Sequence, residues 1–243
     1  MRIIAIIQAR MGSSRLPSKI MMNLCDVPVL RHVINRVQRV TRLSEVVVAT
    51  TTEMRDDAVV DFCNKEGINV FRGSEEDVLS RYYHAARAYQ ADVVIRITSD
   101  CPLIDVDVIN HMLNLYENET SQFVTNAGPD LQKRTFPRGL DVEIFDFQLL
   151  ESAFHQAKAS HEREHVTPYL YAHCDSVNYY MNPIDYSNHR WTLDTAEDFD
   201  LINRIYDALY SPQNYFGMQD ILAVLKENPE WCQINAHIEQ KKL

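Results

Sequence analysis

Through its first hundred residues the chain alternates short, wholly apolar runs with amphipathic stretches. RIIAIIQ (2–8), EVVVAT (45–50), INVFR (68–72) and DVVIRIT (92–98) are β-branched and aliphatic runs of strand length, the pattern of strands covered on both faces. Between them lie helical patterns. PVLRHVINRVQRV (28–40) places Val29, Leu30, Val33, Ile34 and Val37 on one stripe with arginines opposite, and Pro28 stands where a helix accepts its first residue. DDAVVDFCNKEG (56–67) opens on acids and closes on Gly67, and EEDVLSRYYHAARAYQ (75–90) makes a third helix. The order β-α-β-α-β-α-β predicts right-handed crossovers and an α/β fold whose mostly parallel, Rossmann-like sheet carries helices on both faces.

The second half is less regular. After a helix near 105–117, strands are expected in SQFVTN (121–126), GLDVEIFD (139–146), VNYYM (177–181) and HRWTLD (189–194), with helices near 147–159, 161–173, 197–209 and 218–227. No internal repeat, low-complexity tract or flexible linker interrupts the chain, so residues 1–243 are expected to form a single domain.

Composition narrows the class. Hydrophobic residues make up 46% and charged residues 24%, near the averages for soluble globular proteins, and no apolar run approaches the roughly 20 residues that span a bilayer. The N-terminal run in MRIIAIIQAR lacks a small-residue cleavage site and is expected to be a buried strand. Five scattered cysteines without a C-x-x-C pair indicate neither a disulfide framework nor a zinc ribbon and point to a reducing cytoplasm. A net charge of -10 argues against a general affinity for nucleic acid or for an anionic membrane. Residues 1–55 run the other way, with nine Lys or Arg against three acids; an anionic ligand, or simply the wet face of the first helix, would account for that excess.

In open parallel sheets, ligands gather outside the carboxyl ends of the strands. Here those ends carry Gln8, Ala9 and Arg10, then the run Thr50 to Thr52, then Gly73 and Ser74, then Thr98, Ser99 and Asp100. The loop QARMGSSRLPSK (8–19) sets Gly12, Ser13, Arg10, Arg15 and Lys19 directly behind the first strand, so backbone N–H groups and three cations can meet a polyphosphate. It matches neither a Walker A loop nor the G-x-G-x-x-G dinucleotide pattern. Asp100 in SDCPLID and Asp194 in RWTLDTAEDF end two separate strands. Two such carboxylates can share a Mg²⁺ ion that also binds phosphates, or Asp194 can cap the helix that follows it.

Two motifs compete with that reading. HEREH (161–165) fits H-E-x-x-H, which puts two imidazoles one helical turn apart around zinc, but Pro168 follows closely and no third ligand stands out. The D-x-D at Asp105 and Asp107 falls where a helix begins, and the helix dipole alone favours acids there.

Taken together, IIQARMGSSRLPSK, VVVATT, FRGSEEDVLSRYY, RITSDCPLID, RGLDVEIF, EHVTPYLY and RWTLDTAEDF resemble the cytidylyltransferases of the spore coat polysaccharide biosynthesis protein F type, relatives of acylneuraminate and 3-deoxy-manno-octulosonate cytidylyltransferases. The blocks run in the same order from residue 1 to about 210. The resemblance implies an enzyme that joins CTP to a sugar acid and releases pyrophosphate, with a sugar phosphate or polyol phosphate as the alternative acceptor and a non-catalytic nucleotide-binding protein as the alternative function. It implies Arg10, Lys19 and Asp100 as catalytic groups. The nucleotide would be bound by Ala9, Arg10, Gly12, Ser13, Arg15, Lys19, Thr50, Ser74 and Thr98, with Mg²⁺ on Asp100 and Asp194. The acceptor side would comprise Arg138, Asp141, Glu143, Glu164, His165 and Arg190, although Glu143 alternates with Val142 and Ile144 and also fits a plain strand position. Two departures stand out: Ser18 where a glycine is common, and Ser99 where Gly or Ala is frequent. The resemblance further implies a homodimer built through a small, β-containing subregion at about 135–185.

Overall fold

The computed structural model describes residues 1–118 and 121–239. In chain order the strands are β1 (Ile3–Gln8), β2 (Asn23–Leu24), β3 (Val27–Pro28), β4 (Glu45–Thr51), β5 (Asn69–Gly73), β6 (Val93–Thr98), β7 (Phe123–Thr125), β8 (Glu143–Asp146) and β9 (Asn178–Tyr179). The helices are α1 (Val29–Val37), α2 (Asp57–Lys65), α3 (Val78–Ala88), α4 (Val106–Asn118), α5 (Phe147–Gln156), α6 (Ser160–His165), α7 (Pro168–His173), α8 (Ala196–Leu209) and α9 (Met218–Glu227). β2 and β3 form a small hairpin; the other strands form one seven-stranded sheet in the order β5-β4-β1-β6-β8-β7-β9. The first four of these are mutually parallel, and β8 enters antiparallel to both β6 and β7. β8 and β9, the two strands within 135–185, extend this same sheet.

The double covering explains the unbroken apolar runs. Ile3, Ala5 and Ile7 of β1 belong to a core layer shared with α1, α2, α4, α8 and α9, whereas Ile4 and Ile6 belong to a second layer shared with α3, α5 and α7. Both faces of β1 are dry. Helix ends follow local chemistry: Gly67 takes φ 65 just beyond α2, and Thr195 caps α8, its hydroxyl accepting from Asp198 N at 3.3 Å.

Two expected elements differ. The helix predicted over 161–173 is divided into α6 and α7, because Val166 adopts φ 70 and Pro168, which lacks an N–H, begins a new helix. The run HRWTLD is not a strand of the sheet but an extended segment bridged to Arg138, with Arg138 N donating to His189 O at 3.1 Å and Trp191 N to Arg138 O at 2.7 Å. Gly139 permits this crossing. At φ 101, a Cβ placed on it would lie 2.5 Å from the Trp191 carbonyl carbon, a distance that only glycine avoids.

Candidate active site

The crossing brings the segment bearing Asp194 against the end of β6, where Leu193 N donates to Asp100 O at 2.8 Å. From the other side comes the loop after β1. It is pinned by Ala9 N donating to Ala49 O (3.1 Å), Met11 N to Asp56 Oδ1 (2.6 Å) and Ser18 N to Met11 O (3.3 Å). Ser18 takes the left-handed conformation, φ 57, that a glycine would adopt without strain, and directly after it a 3₁₀ turn over Lys19–Met21 buries Lys19.

All three segments meet at one ammonium. Lys19 Nζ donates to Asp100 Oδ2 at 2.8 Å, to Asp194 Oδ1 at 2.9 Å and to Leu193 O at 2.7 Å, which uses all its protons. Burial works to lower the Lys19 pKa, but the two carboxylates outweigh it and hold the amine above its ordinary value. The same balance holds Asp100 below the usual carboxylate range: burial pushes up, while the Lys19 charge and hydrogen bonds from Lys19 and the Thr98 hydroxyl (2.6 Å to Oδ1) push down harder.

The second oxygen of Asp194 faces Arg15 at 3.0 Å and Arg190 at 2.8 Å. Asp194 therefore does not cap α8. That task falls to Thr195 with Asp198, leaving both oxygens of Asp194 for side-chain partners. Two carboxylates within 2.9 Å of a common point form a donor set that fits Mg²⁺, a cation commonly held by one or two carboxylates plus phosphates and water. Among the described residues, no group of three or more His, Cys, Asp and Glu is placed to hold a metal. HEREH lies on the short α6 with His161 exposed, so the zinc reading has no structural support.

Arg10 sits 3.7 Å from Glu75, which also pairs with Arg55, and a Cβ on Gly12 would touch the Arg55 guanidinium at 3.3 Å. Arg10, Gly12 and Arg55 thus share the mouth of the loop, while the Ser13 hydroxyl shapes it by accepting from Leu16 N at 3.4 Å. Ser74 is exposed, and its polar groups serve the start of α3: its carbonyl accepts from Arg81 Nη1 at 2.6 Å and its hydroxyl from Asp77 N at 3.0 Å. Thr50 shares the side of Val46 and Val48, against the α1 layer, whereas Gln8 and Thr98 point with Ile6 and Val94 toward the α3 layer.

That α3 side holds groups the motifs did not single out. Arg81 is 1% exposed, yet its Nε and Nη2, like Gln8 Oε1, are buried without a partner. Burial pushes the Arg81 guanidinium below its ordinary value, and the nearby charge of Arg10 adds to the effect. Unmet buried donors and acceptors each cost about 1–3 kcal/mol, so these groups on the α3 side of the sheet suit a polar ligand. One signal was available: Arg81 stands on the apolar stripe of α3 between Val78, Tyr82 and Ala85, where an arginine is out of place.

The expected acceptor residues separate into groups. Arg138 lines a cavity of about 360 Å³ together with His189, Trp191 and Asn235. Burial and the flanking Arg134 lower the Arg138 pKa. Asp141 is held by Arg134 (2.7 and 3.4 Å). Arg190 is 7% exposed and its guanidinium grips Asp194 and Asp198. Glu164 and His165 lie on α6, docked on α3 through the ion pair of Arg163 with Asp77.

Glu143 belongs to the sheet interior. Its carboxylate accepts from Arg96 across the β6–β8 pair (2.6 Å) and from the Tyr171 hydroxyl (2.6 Å), so both oxygens are engaged. Replacing Glu143 with alanine would strand a buried guanidinium, and a loss of about 3 kcal/mol is expected in urea unfolding, with the acceptor KM unchanged. A raised KM at unaltered stability would return Glu143 to the acceptor site.

Comparison with known proteins places this geometry. The family model described as Cytidylyltransferase matches residues 4–242. The solved structure of a cytidylyltransferase from Leptospira borgpetersenii superposes with a TM-score of 0.88 at 36% identity, over 100% of both chains. The uncharacterized protein MJ1063 of Methanocaldococcus jannaschii is 36% identical, covering 99% of this chain and 97% of its own. The spore coat polysaccharide biosynthesis protein SpsF of Bacillus subtilis is 29% identical over 94% of this chain and 95% of its own. A 3-deoxy-manno-octulosonate cytidylyltransferase from Koribacter versatilis is 32% identical over 52% of this chain and 47% of its own.

Proposed function

Because the chain belongs to the cytidylyltransferase family, we propose that it transfers CMP from CTP to a sugar acid and releases pyrophosphate, as a step toward a surface polysaccharide or glycan. The observation that carries this reading is the convergence of Lys19, Asp100 and Asp194 at the carboxyl ends of the strands, beside the cationic loop of Arg10 and Arg15.

The acceptor hydroxyl attacks the α-phosphorus in line as pyrophosphate leaves, and no covalent enzyme intermediate is needed. Arg10, Arg15 and Lys19 neutralise charge on the triphosphate, which grows on the leaving pyrophosphate as the bond breaks. Asp100 and Asp194 would hold Mg²⁺, which when bound polarises phosphoryl oxygens and lowers the pKa of a nucleophile beside it. For the carboxylates to do so, Lys19 must turn from them to the phosphates. Gln8 and Arg81 form the base site: a carboxamide oxygen suits the exocyclic amine of cytosine, and guanidinium N–H groups suit its N3 and O2 acceptors. Arg138, between Arg134 and Arg190, supplies the positive field for the acceptor's acid group.

No helix among the described residues is long and apolar enough to cross a membrane. Five free cysteines fit a reducing, cytoplasmic setting. A homodimer through 135–185 would cover the exposed Met181 and Ile184.

A thermal-shift series with CTP, UTP, ATP and GTP, each with Mg²⁺, is expected to give the largest rise with CTP, since a ligand that binds only the folded chain stabilises it by mass action. Pyrophosphate release with CTP and a panel of sugar acids, against sugar and polyol phosphates, then identifies the acceptor class. Greater stabilisation by another nucleotide, or release with phosphates alone, would overturn the assignment.

A further inference from the structure

Asp194 is held by more than the cleft. Asp198, fully buried, accepts five N–H bonds: Oδ1 from Arg190 Nε (2.9 Å) and Asn235 Nδ2 (2.8 Å), and Oδ2 from Arg190 Nη2 (3.0 Å) and the backbone N of Asp194 (3.0 Å) and Thr195 (3.1 Å). One carboxylate thus fixes the Asp194 main chain directly and its side chain through Arg190, whose Nη2 also reaches Asp194 Oδ2 at 2.8 Å.

The remaining member comes from far along the sequence. Asn235, 3% exposed, follows the 3₁₀ turn Pro229–Gln233, and its Nδ2 donates both to Asp198 Oδ1 and to the Arg190 carbonyl at 2.9 Å. Both partners are acceptors, so only the NH₂ end of the amide can serve, and its orientation follows. Asn235 therefore ties the main chain of Arg190 to the carboxylate that its own side chain grips. Loss of that tie removes one restraint on the 190–194 segment, which Asp198 then holds through the Arg190 side chain and the Asp194 and Thr195 main chain alone, and loosens the aim of Asp194.

We propose that the C-terminal segment is part of the catalytic machinery, with Asn235 acting through Asp198 and Arg190 as a positioning residue for Asp194. This rests on the assignment of Asp194 as a metal ligand. Its counterpart in other metal sites is the outer ring of hydrogen bonds that aims a ligating carboxylate, whose removal costs about 10- to 100-fold in metal affinity.

The test is Mn²⁺ binding to the full chain in the presence of CTP, followed by the Mn²⁺ resonance signal. Asn235→Ala is expected to weaken Mn²⁺ at least tenfold while CTP binding without metal is unchanged. The near-isosteric Asn235→Asp, which sets a carboxylate against Asp198, is expected to weaken it further. Ile234→Ala trims the neighbouring side chain, which packs on the core and supplies none of the hydrogen bonds to Asp198, and should leave Mn²⁺ affinity as it was. If Ile234→Ala weakens Mn²⁺ as much as Asn235→Ala does, the role is structural and the proposal is overturned. Binding that needs Asp194 but is indifferent to Asn235→Ala overturns the positioning role alone. Binding indifferent to Asp194→Ala overturns the metal assignment and the proposal with it.

Discussion

Replacing Lys19 with alanine is expected to lower turnover by about 10²–10³, the loss typical of a single preorganised group facing developing charge, and to destabilise the fold by about 3 kcal/mol at neutral pH. Both effects come from one contact set. In the resting chain the ammonium is the partner of Asp100 and Asp194, and without it Asp100 is left in a site whose burial opposes its charge. The pH dependence follows from the directions of shift. In the wild type the Asp100 pKa is depressed, so its contribution to stability is present above about pH 4, the unfolded value, and is lost as pH falls through the lower folded value. In the variant the largest lowering partner is gone and only the Thr98 and main-chain hydrogen bonds still oppose burial, so the folded pKa rises; the deficit is then largest at neutral pH and shrinks as the solution approaches pH 4. Urea unfolding of both proteins at several pH values reads this directly. A constant difference from pH 4 to pH 7 would show that Lys19 does not set the ionisation of Asp100.

Asp100→Asn is expected to lower turnover by about 10³ or more, with CTP affinity in the absence of metal nearly intact. The amide preserves the shape, and Lys19 keeps its contacts to Asp194 and to the Leu193 carbonyl, so the fold should tolerate the change. What is lost is one of the two carboxylates that meet at the ammonium. Steady-state pyrophosphate release, paired with calorimetric titration of CTP, separates the two quantities. Turnover near the wild-type level would remove Asp100 from the chemistry.

The parts that the sequence disclosed are those governed by local pattern. β1, β4, β5 and β6 read as unbroken apolar runs because both faces of each meet a core layer; Asp100 stood out because it follows a parallel strand and Lys19 because it belongs to the cationic loop behind one, whereas Asp194 was expected at the end of a strand that proves to be an extended segment outside the sheet. What stayed hidden depends on contacts between distant residues. Asp198 reads as an ordinary acid in the first turn of a helix, and only the fold shows Asn235, 37 positions later, bonded to it. Glu143 fits a solvent-facing strand position until Arg96 and Tyr171 are seen to enclose it. HEREH shows the reverse: its spacing was right for zinc, but Val166 and Pro168 end the helix after its second histidine, and its glutamate Glu162 turns back to accept from the backbone of Lys158 and Ala159.

Gly139 carries a wider consequence. The segment that delivers Asp194 lies on the backbone at residue 139 with room for nothing larger than a hydrogen atom. That hydrogen works as a gauge block: it sets how far Trp191 and Thr192 stand from the 138–140 segment, and with them the width of the gap that Asp100 and Asp194 span. The spacing of two carboxylates is here fixed at a position that bears no charge and has no side chain.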